Sequence, residues 1–547
     1  MSKKIILFIT WLALLIFWLD FFTQLWTYFF LDTIFYPIYT LQDFFSQALY
    51  WHLRDILTMI LWYELYSKIF LLWIFIIWAT LWVYTGKLVN KILKIKNNKI
   101  KLFNIILWIS FILLNPFSYE RFITQTDIIL WIYLIWLWLI FLIDYLILSA
   151  KSKKLYISSL FFWLSLTIFP HSAIFLIIIA LTTLIFYLRK FSLKRIFFSI
   201  IIVLFINLNW VIWNIFLWTK NSLEKINNFD YKNIEVFANN SLNNLWTEVT
   251  NLLLYWFWWE KYKHLYTPDI INDKWYLAWF LIVIIIVFWI IFLYKKQKRL
   301  TLYLLSIWII SYILSLWISS ELMIGINMFL YNNIPYYIWM REPQKLTGLV
   351  MLIYSLFFIV WISSIITIMK KFKLKQYLHT FILNYYFWFI LLLLIITAWS
   401  PNVLFWFNHQ LRIWSYPTSF FQAKSFLQEH SPNSKSVLFP WHSYIKCSWT
   451  KWKVISNIIP NILKPANIIS ADNIEIAWLY TNNPNSQSET IEIFLKNKEY
   501  SLLKKLKINN IIFLNHCADF QNYSYLEKSN HLKKIFNSDA IKIYKIK

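Results

Sequence analysis

Residues 151–195 read KSKKLYISSLFFWLSLTIFPHSAIFLIIIALTTLIFYLRKFSLKR, and this stretch decides the fold. Lys151, Lys153 and Lys154 stand at its start; Arg189, Lys190, Lys194 and Arg195 stand at its end. Between them run 34 residues, Leu155 to Leu188, with no carboxylate, lysine or arginine, interrupted by Pro170-His171. An α-helix crosses the hydrocarbon core of a bilayer with about 20 apolar residues. The stretch therefore holds two short crossings, and proline ends the first. Short basic loops stay on the cytoplasmic side. Both ends are then inside, the chain turns back at Pro170-His171, and His171 is expected at membrane depth against protein or a water-filled cavity.

The same alternation runs outward in both directions. Apolar spans are expected at residues 5–30, 69–86, 102–117, 127–149, 155–169, 172–188, 196–218, 275–294, 300–318, 346–369 and 378–399. The basic clusters Lys3-Lys4, Lys87 to Lys101, Lys151 to Lys154, Arg189 to Arg195, Lys295 to Arg299 and Lys370 to Lys375 fall on one side of these eleven spans. This predicts a mainly α, polytopic membrane protein of about eleven transmembrane helices, multi-pass in a bacterial plasma membrane, with a cytoplasmic N-terminus. The first span has no small-residue cleavage site and reads as a retained helix. Composition agrees: 60% of residues are hydrophobic, against ~45–50% in average globular usage, and the mean hydropathy is +0.55. The formal charge of +26 does not call for nucleic acid, because 23 of the 52 Lys and Arg residues lie in those six inner segments. Topology and anionic headgroups account for them.

Polar chemistry is left to the outer face. Long outer loops are expected at 32–68, 219–274 and 319–345, within a transmembrane domain of residues 1–400. The first loop mixes aromatics with Asp43, His52, Arg54, Asp55 and Glu64 and reads as helices lying on the interface. Residues 401–547 lose the long apolar runs and form an outer α/β domain. Its strands are expected at Ser436 to Phe439, Asn510 to Leu514 and Ala540 to Ile546, with one helix over Glu489 to Ile508. The only cysteines, Cys447 and Cys517, both fall here. They are either a disulfide, which an oxidising compartment permits, or two thiols.

Few ionisable residues sit near the outer ends of the spans, and such residues are functional candidates by default. Asp20 and Asp32 belong to the first span and its exit, with Asp43 just beyond. A carboxylate there can accept the proton of an attacking hydroxyl, or it can cap the next helix. Asn115-Pro116-Phe117-Ser118-Tyr119-Glu120-Arg121-Phe122 follows the third span. Arg121 can hold a phosphate with Glu120 as its partner, or the two form an exposed ion pair of little energetic weight. Arg341-Glu342-Pro343-Gln344-Lys345 puts two cations four residues apart, with proline suited to a helix start. That is a phosphate clamp, or an anchor to headgroups. His171 touches a phosphate or caps its hairpin. No P-loop, paired CxxC or metal-ligand cluster can be read, and a divalent metal is left open.

Taken together, the acid near the end of the first span (Asp32), the long first outer loop, the many further spans and the outer C-terminal domain resemble the GT-C superfamily of integral membrane glycosyltransferases. The runs NPFSYERF and REPQK resemble those of bacterial multi-span proteins of this type. The resemblance implies a polyprenyl-phosphate-linked sugar donor, a cell-envelope glycan or protein acceptor, and inverting transfer on the outer face. It makes Asp32 the candidate base, with Arg121, Arg341, Lys345 and His171 on the donor phosphate. The chain departs from the pattern in lacking an adjacent acidic pair after the first span. A transporter or flippase for a lipid-linked or anionic solute is the alternative, though paired broken helices and an internal repeat are missing from the sequence. A non-catalytic envelope scaffold is a third reading.

One anomaly cuts across all of these. The chain has 3 Gly and 35 Trp, where average usage of about 7% glycine would give roughly 38. Some bacterial lineages read UGA as glycine, and translating UGA as tryptophan would make this trade. Trp449 and Trp452 lie in the turn-like SWTKWK, and Trp78 and Trp82 have the four-residue spacing of close helix contacts. The sequence thus leads us to expect glycine at most of these positions, with Trp441 an exception. The other reading is a chain rich in interfacial tryptophan.

Overall fold

The computed structural model describes residues 27–29, 56–57, 60–61, 63–96, 98–113, 115–124, 126–149, 152–168, 172–192, 194–205, 247–254, 269–316, 319–333, 343–371, 412–471, 474–476, 479–481 and 486–547. It is mostly helical, with β-structure concentrated toward the C-terminus. The chain divides into two compact units. One comprises Met1–Phe21, Leu71–Leu208 and Phe237–Gln410; the other comprises Phe22–Phe70, Asn209–Val236 and Leu411–Lys547.

The first unit is a helical bundle: α1 (Tyr63–Ile92, its opening turns assigned to the second unit), α2 (Asn98–Leu113), α3 (Pro116–Thr124), α4 (Thr126–Ile143), α5 (Ser152–Ile168), α6 (Ser172–Tyr187), α7 (Asp269–Ser315) and α8 (Thr347–Lys371). Helix α4 is its axis. It is apolar on every face, and each residue from Asp127 to Ile140 is buried. Such a helix has no face to offer water and must be enclosed. Helices α3, α5, α6 and α8 all pack on it.

Polar groups inside the bundle are matched across helices. Ser158 on α5 donates to the Trp138 carbonyl on α4 at 2.8 Å. Asn104 on α2 donates to Asn90 on α1 at 2.8 Å beside the turn that joins them. Past α4 the chain continues as a π-helical turn, Asp144–Ser149. Lys154 lies 3.1 Å from Asp144 and donates to Tyr84 at 2.6 Å, and Tyr84 hydrogen-bonds Asp144. One lysine of the Lys151–Lys154 cluster therefore ties α1, α5 and the turn after α4 together.

Among the described residues, three helical stretches are long and apolar enough to cross a membrane: Asp127–Ile147, Ser172–Lys190 and Ile290–Ser315. The eleven-span expectation reaches beyond these residues. Helix α6 carries both kinds of face. Phe175, Ile178 and Ile179 are buried, while Ile177, Leu181, Leu184 and Ile185 are exposed. An exposed aliphatic stripe of that length suits hydrocarbon better than water. The predicted break at Pro170-His171 separates α5 from α6, the turn itself lying outside the described residues.

Several expectations are corrected. Residues 27–29, assigned to the first helical span, form a strand, because Thr-Tyr-Phe is β-prone and finds a partner. The third span stops at Leu113, because Asn115-Pro116 starts a new helix. The spans expected at 275–294 and 300–318, around a Lys295–Arg299 loop, are joined as far as Ser315 in one 47-residue helix. Lys-Lys-Gln-Lys-Arg contains only good helix formers and no breaker, so nothing local stops α7.

In the second unit β1 (Thr27–Phe29) pairs antiparallel with β2 (Arg412–Trp414), Tyr28 opposite Ile413. Helix α9 (Thr418–His430) then leads to β3 (Lys435–Phe439). Further on come the hairpin β4 (Tyr444–Lys446) and β5 (Val454–Ser456), then β6 (Asn467–Ile469), α10 (Ser486–Asn497), α11 (Tyr500–Lys505), β7 (Ile508–Leu514), β8 (Leu532–Asn537) and β9 (Ile541–Ile546). The sheet order is β8-β9-β7-β3-β6. β3 runs parallel to β6 and β7, whereas β9 and β8 are antiparallel. The continuous apolar runs of β3 and β7 reflect burial on both sheet faces. Val437, Phe439, Ile511 and Phe513 pack with Ile491, Phe494 and Tyr544 in one core. The helix expected over Glu489 to Ile508 is split, because Lys498 turns left-handed at φ 62° after α10.

The structure joins Cys447 to Cys517, their Cα atoms 3.9 Å apart and 70 residues apart in sequence. A loop of that length corresponds to about 4 kcal/mol in the chain-entropy account. Replacing Cys517 with serine is predicted to weaken residues 411–547 by about 2–4 kcal/mol, measured as protease sensitivity of this segment. In the native protein, maleimide should label Cys447 and Cys517 only after reduction.

Candidate active site

The site builds from Asn115. Its side-chain Oδ1 accepts the Ser118 backbone N–H at 3.0 Å, and its amide donates to the Ser118 hydroxyl at 3.0 Å. With Pro116 at the first helical position, this is a complete N-cap. The cap stops the chain from continuing α2 and starts α3 in a new direction. Helix α3 carries Tyr119, Glu120 and Arg121, all essentially without solvent exposure (0%, 0% and 1%). Thr124 closes the helix by donating to the Glu120 carbonyl at 2.8 Å. Three residues on, Asp127 is buried in the first turn of α4.

Two other segments meet the same end of α4. The 3₁₀ turn Pro343–Leu346 leads into α8, and Lys345 on it is 8% exposed. Gly348, three residues later, lies so close to α4 and α3 that an added Cβ would stand 2.6 Å from Ile132 Cδ1 and 3.1 Å from Phe117 Cζ. A larger residue there would have to displace the Ile132 side chain. Phe117 is one helical turn before Arg121, so the start of α8 packs close to the helix that carries Arg121. The third segment is the start of α6. Trp131 on α4 donates to the Ser172 hydroxyl at 2.5 Å, and its ring meets Phe175 edge-on at 4.9 Å. Ser172 directly follows His171.

Glu120 and Arg121 on α3, Asp127 in the first turn of α4 and Lys345 before α8 are thus all buried. Buried ions of both signs are costly unless they compensate one another or meet a charged ligand. Asp127 was missed in the sequence, where an acid in the first turn of a span reads as a helix-dipole partner. Asp20, Asp32, Asp43, His171, Arg341 and Glu342 lie outside the described residues. Among the described residues no group of three His, Cys, Asp or Glu side chains is placed to hold a metal ion.

In the second unit, Glu64 and Lys68 stand one turn apart at the start of α1. Burial raises the Glu64 carboxyl above its ordinary value, opposed by Lys68 and by a hydrogen bond from Ser415. Burial likewise lowers the Lys68 ammonium, opposed by Glu64.

No protein-family model matches the chain, and no curated protein matches it. Solved structures do. The arabinofuranosyltransferase AftD from Mycobacteria aligns over 100% of this chain and 40% of its own, with 12% identity and a TM-score of 0.66. Its R1389S mutant, class 2, aligns over 100% and 42% at 12% identity, with a TM-score of 0.59. The Archaeoglobus fulgidus oligosaccharyltransferase in the apo form follows at 0.48, over 93% and 69% at 12% identity, a likeness too slight to build on. The chain thus spans about two fifths of AftD. At this identity the likeness is one of fold alone.

The Gly348 contact can be tested by a packing cycle. Gly348→Ala is predicted to destabilise the first unit by about 1–3 kcal/mol. Ile132→Ala in the same chain should restore part of the loss. Thermal unfolding of the detergent-solubilised protein reads both, and simple additivity would contradict the contact.

Proposed function

We propose that this chain is a membrane-embedded glycosyltransferase. It moves a sugar from a polyprenyl-phosphate donor to a cell-envelope glycan or protein on the outer face of a bacterial plasma membrane. What supports the reading is the burial of Arg121, Glu120 and Lys345, with Gly348 packed close to Phe117 on the helix that carries Arg121, in a chain whose fold is like that of the arabinofuranosyltransferase AftD. Residues 1–400 form the catalytic membrane domain and residues 401–547 the outer domain. The make-up of the second unit supports that layout. It combines Phe22–Phe70, Asn209–Val236 and Leu411–Lys547, and charge patterning assigns the loops 32–68 and 219–274 and the domain 401–547 to the same side.

The chemistry follows from the groups available. An acceptor hydroxyl attacks the anomeric carbon, the bond from that carbon to the phosphate oxygen breaks, and configuration inverts. Asp32, with Asp20 as second candidate, takes the hydroxyl proton as general base. Arg121 and Lys345, joined by Arg341 and His171, hold the phosphate as its negative charge grows. Fixed cations in a water-poor site stabilise such charge more than mobile ones in water. Glu120, Glu342 and Asp43 orient these cations. A pentosyl and a hexosyl donor both suit this scheme.

Membranes containing the protein, supplied with polyprenyl-phosphate-linked pentose or hexose, test it by product formation. Arg121→Ala and Lys345→Ala are each predicted to lower the rate by about 10²–10³-fold, and Asp32→Asn by about 10²–10⁴-fold. Unchanged transfer by all three variants at normal protein level would sink the assignment.

A further inference from the structure

Helices α1 and α2 are closest at Gly86. A Cβ there would stand 2.6 Å from Ile105 Cγ1 and 3.2 Å from the Ile105 Cα, so the helix backbones nearly touch. One turn further along the same seam, two of the largest side chains face each other. Trp82 and Trp108 are both fully buried, with ring centroids 5.7 Å apart. Trp78, Trp82 and Gly86 recur every four residues, so they share one face of α1. A close seam needs small residues along its length, as in small-xxx-small packing. Here it has one glycine followed by indoles.

Hydrogen bonding points the same way. The indole N–H groups of Trp82, Trp108, Trp163 and Trp308 are buried without an acceptor. Buried tryptophan normally finds a partner for this donor, and in hydrocarbon no water supplies one. Trp131 and Trp136 do find hydroxyls, on Ser172 and Thr85, so the weight rests on the others. The second unit adds a backbone observation. Lys451 and Trp452 are consecutive left-handed residues, at φ 49° and 60°. Trp452 is half exposed there, and its backbone N–H donates to the Cys447 carbonyl at 2.9 Å. A bulky residue at positive φ is a genuine outlier, whereas glycine adopts it without cost.

We infer that the chain made in its own cells carries glycine at Trp82, Trp108 and Trp452, each encoded by a UGA codon that those cells read as glycine. Helix α1 then presents a glycine stripe to α2, and SWTKWK becomes a glycine-bounded turn. The same decoding accounts for 3 glycines beside 35 tryptophans along the whole chain. This inference is independent of glycosyl transfer.

The test is to read the codons at the three positions and to sequence by mass spectrometry peptides spanning each, from protein purified from its source cells and reduced at Cys447. UGA codons with glycine masses are expected at all three positions. UGG codons, or UGA codons with tryptophan masses, would overturn it.

Discussion

The structure of the first unit depends on the enclosure of α4. A helix apolar around its full circumference cannot lie on a surface, and its backbone polar groups are already paired within it. It can only be surrounded. Next to the first turn of α4, α3 ends at Thr124, while α6 and α8 also pack on α4. Asp127 is buried in that first turn, and Glu120 and Arg121 are buried on α3.

Much of this was legible in the sequence, for reasons that differ by element. The break at Pro170-His171 is a local signal, and α5 and α6 lie on either side of it; the cap at Asn115-Pro116 is equally local but reads as the end of an apolar span. The parallel strands β3 and β7 announced themselves as short apolar runs between turn residues. The close approach of Gly348 to Phe117 was not legible, because no local pattern records which distant residues pack together. Asp127 was passed over because its neighbours give it an adequate structural excuse. The loop expected at Lys295–Arg299 came from charge alone, while helix formation there follows backbone propensity, which those five residues favour. Lys498 ended a helix early without glycine or asparagine to mark the place.

The inner face and the site use the same residue types differently. Lys154 belongs to a cluster that reads as topology, yet it is held between Tyr84 and Asp144 and rests over the Tyr84 ring at 4.8 Å. Its charge is spent on fixing helices. Lys345, also buried, leads directly into a helix whose start packs close to Ile132 and Phe117 at Gly348. Position within the bundle, rather than charge, separates a staple from a candidate ligand.

The pairing of β1 with β2 has a consequence for how the protein is made. Tyr28 leaves the ribosome long before Ile413, its partner across the strand pair. All the helices of the bundle are synthesised between them. The earliest part of the second unit must therefore wait, with an unpaired strand edge, until the last membrane segment has been threaded. Completion of that small sheet is in effect a record that every intervening helix has been inserted. A chain released early would display the open edge to whatever quality-control machinery patrols the membrane.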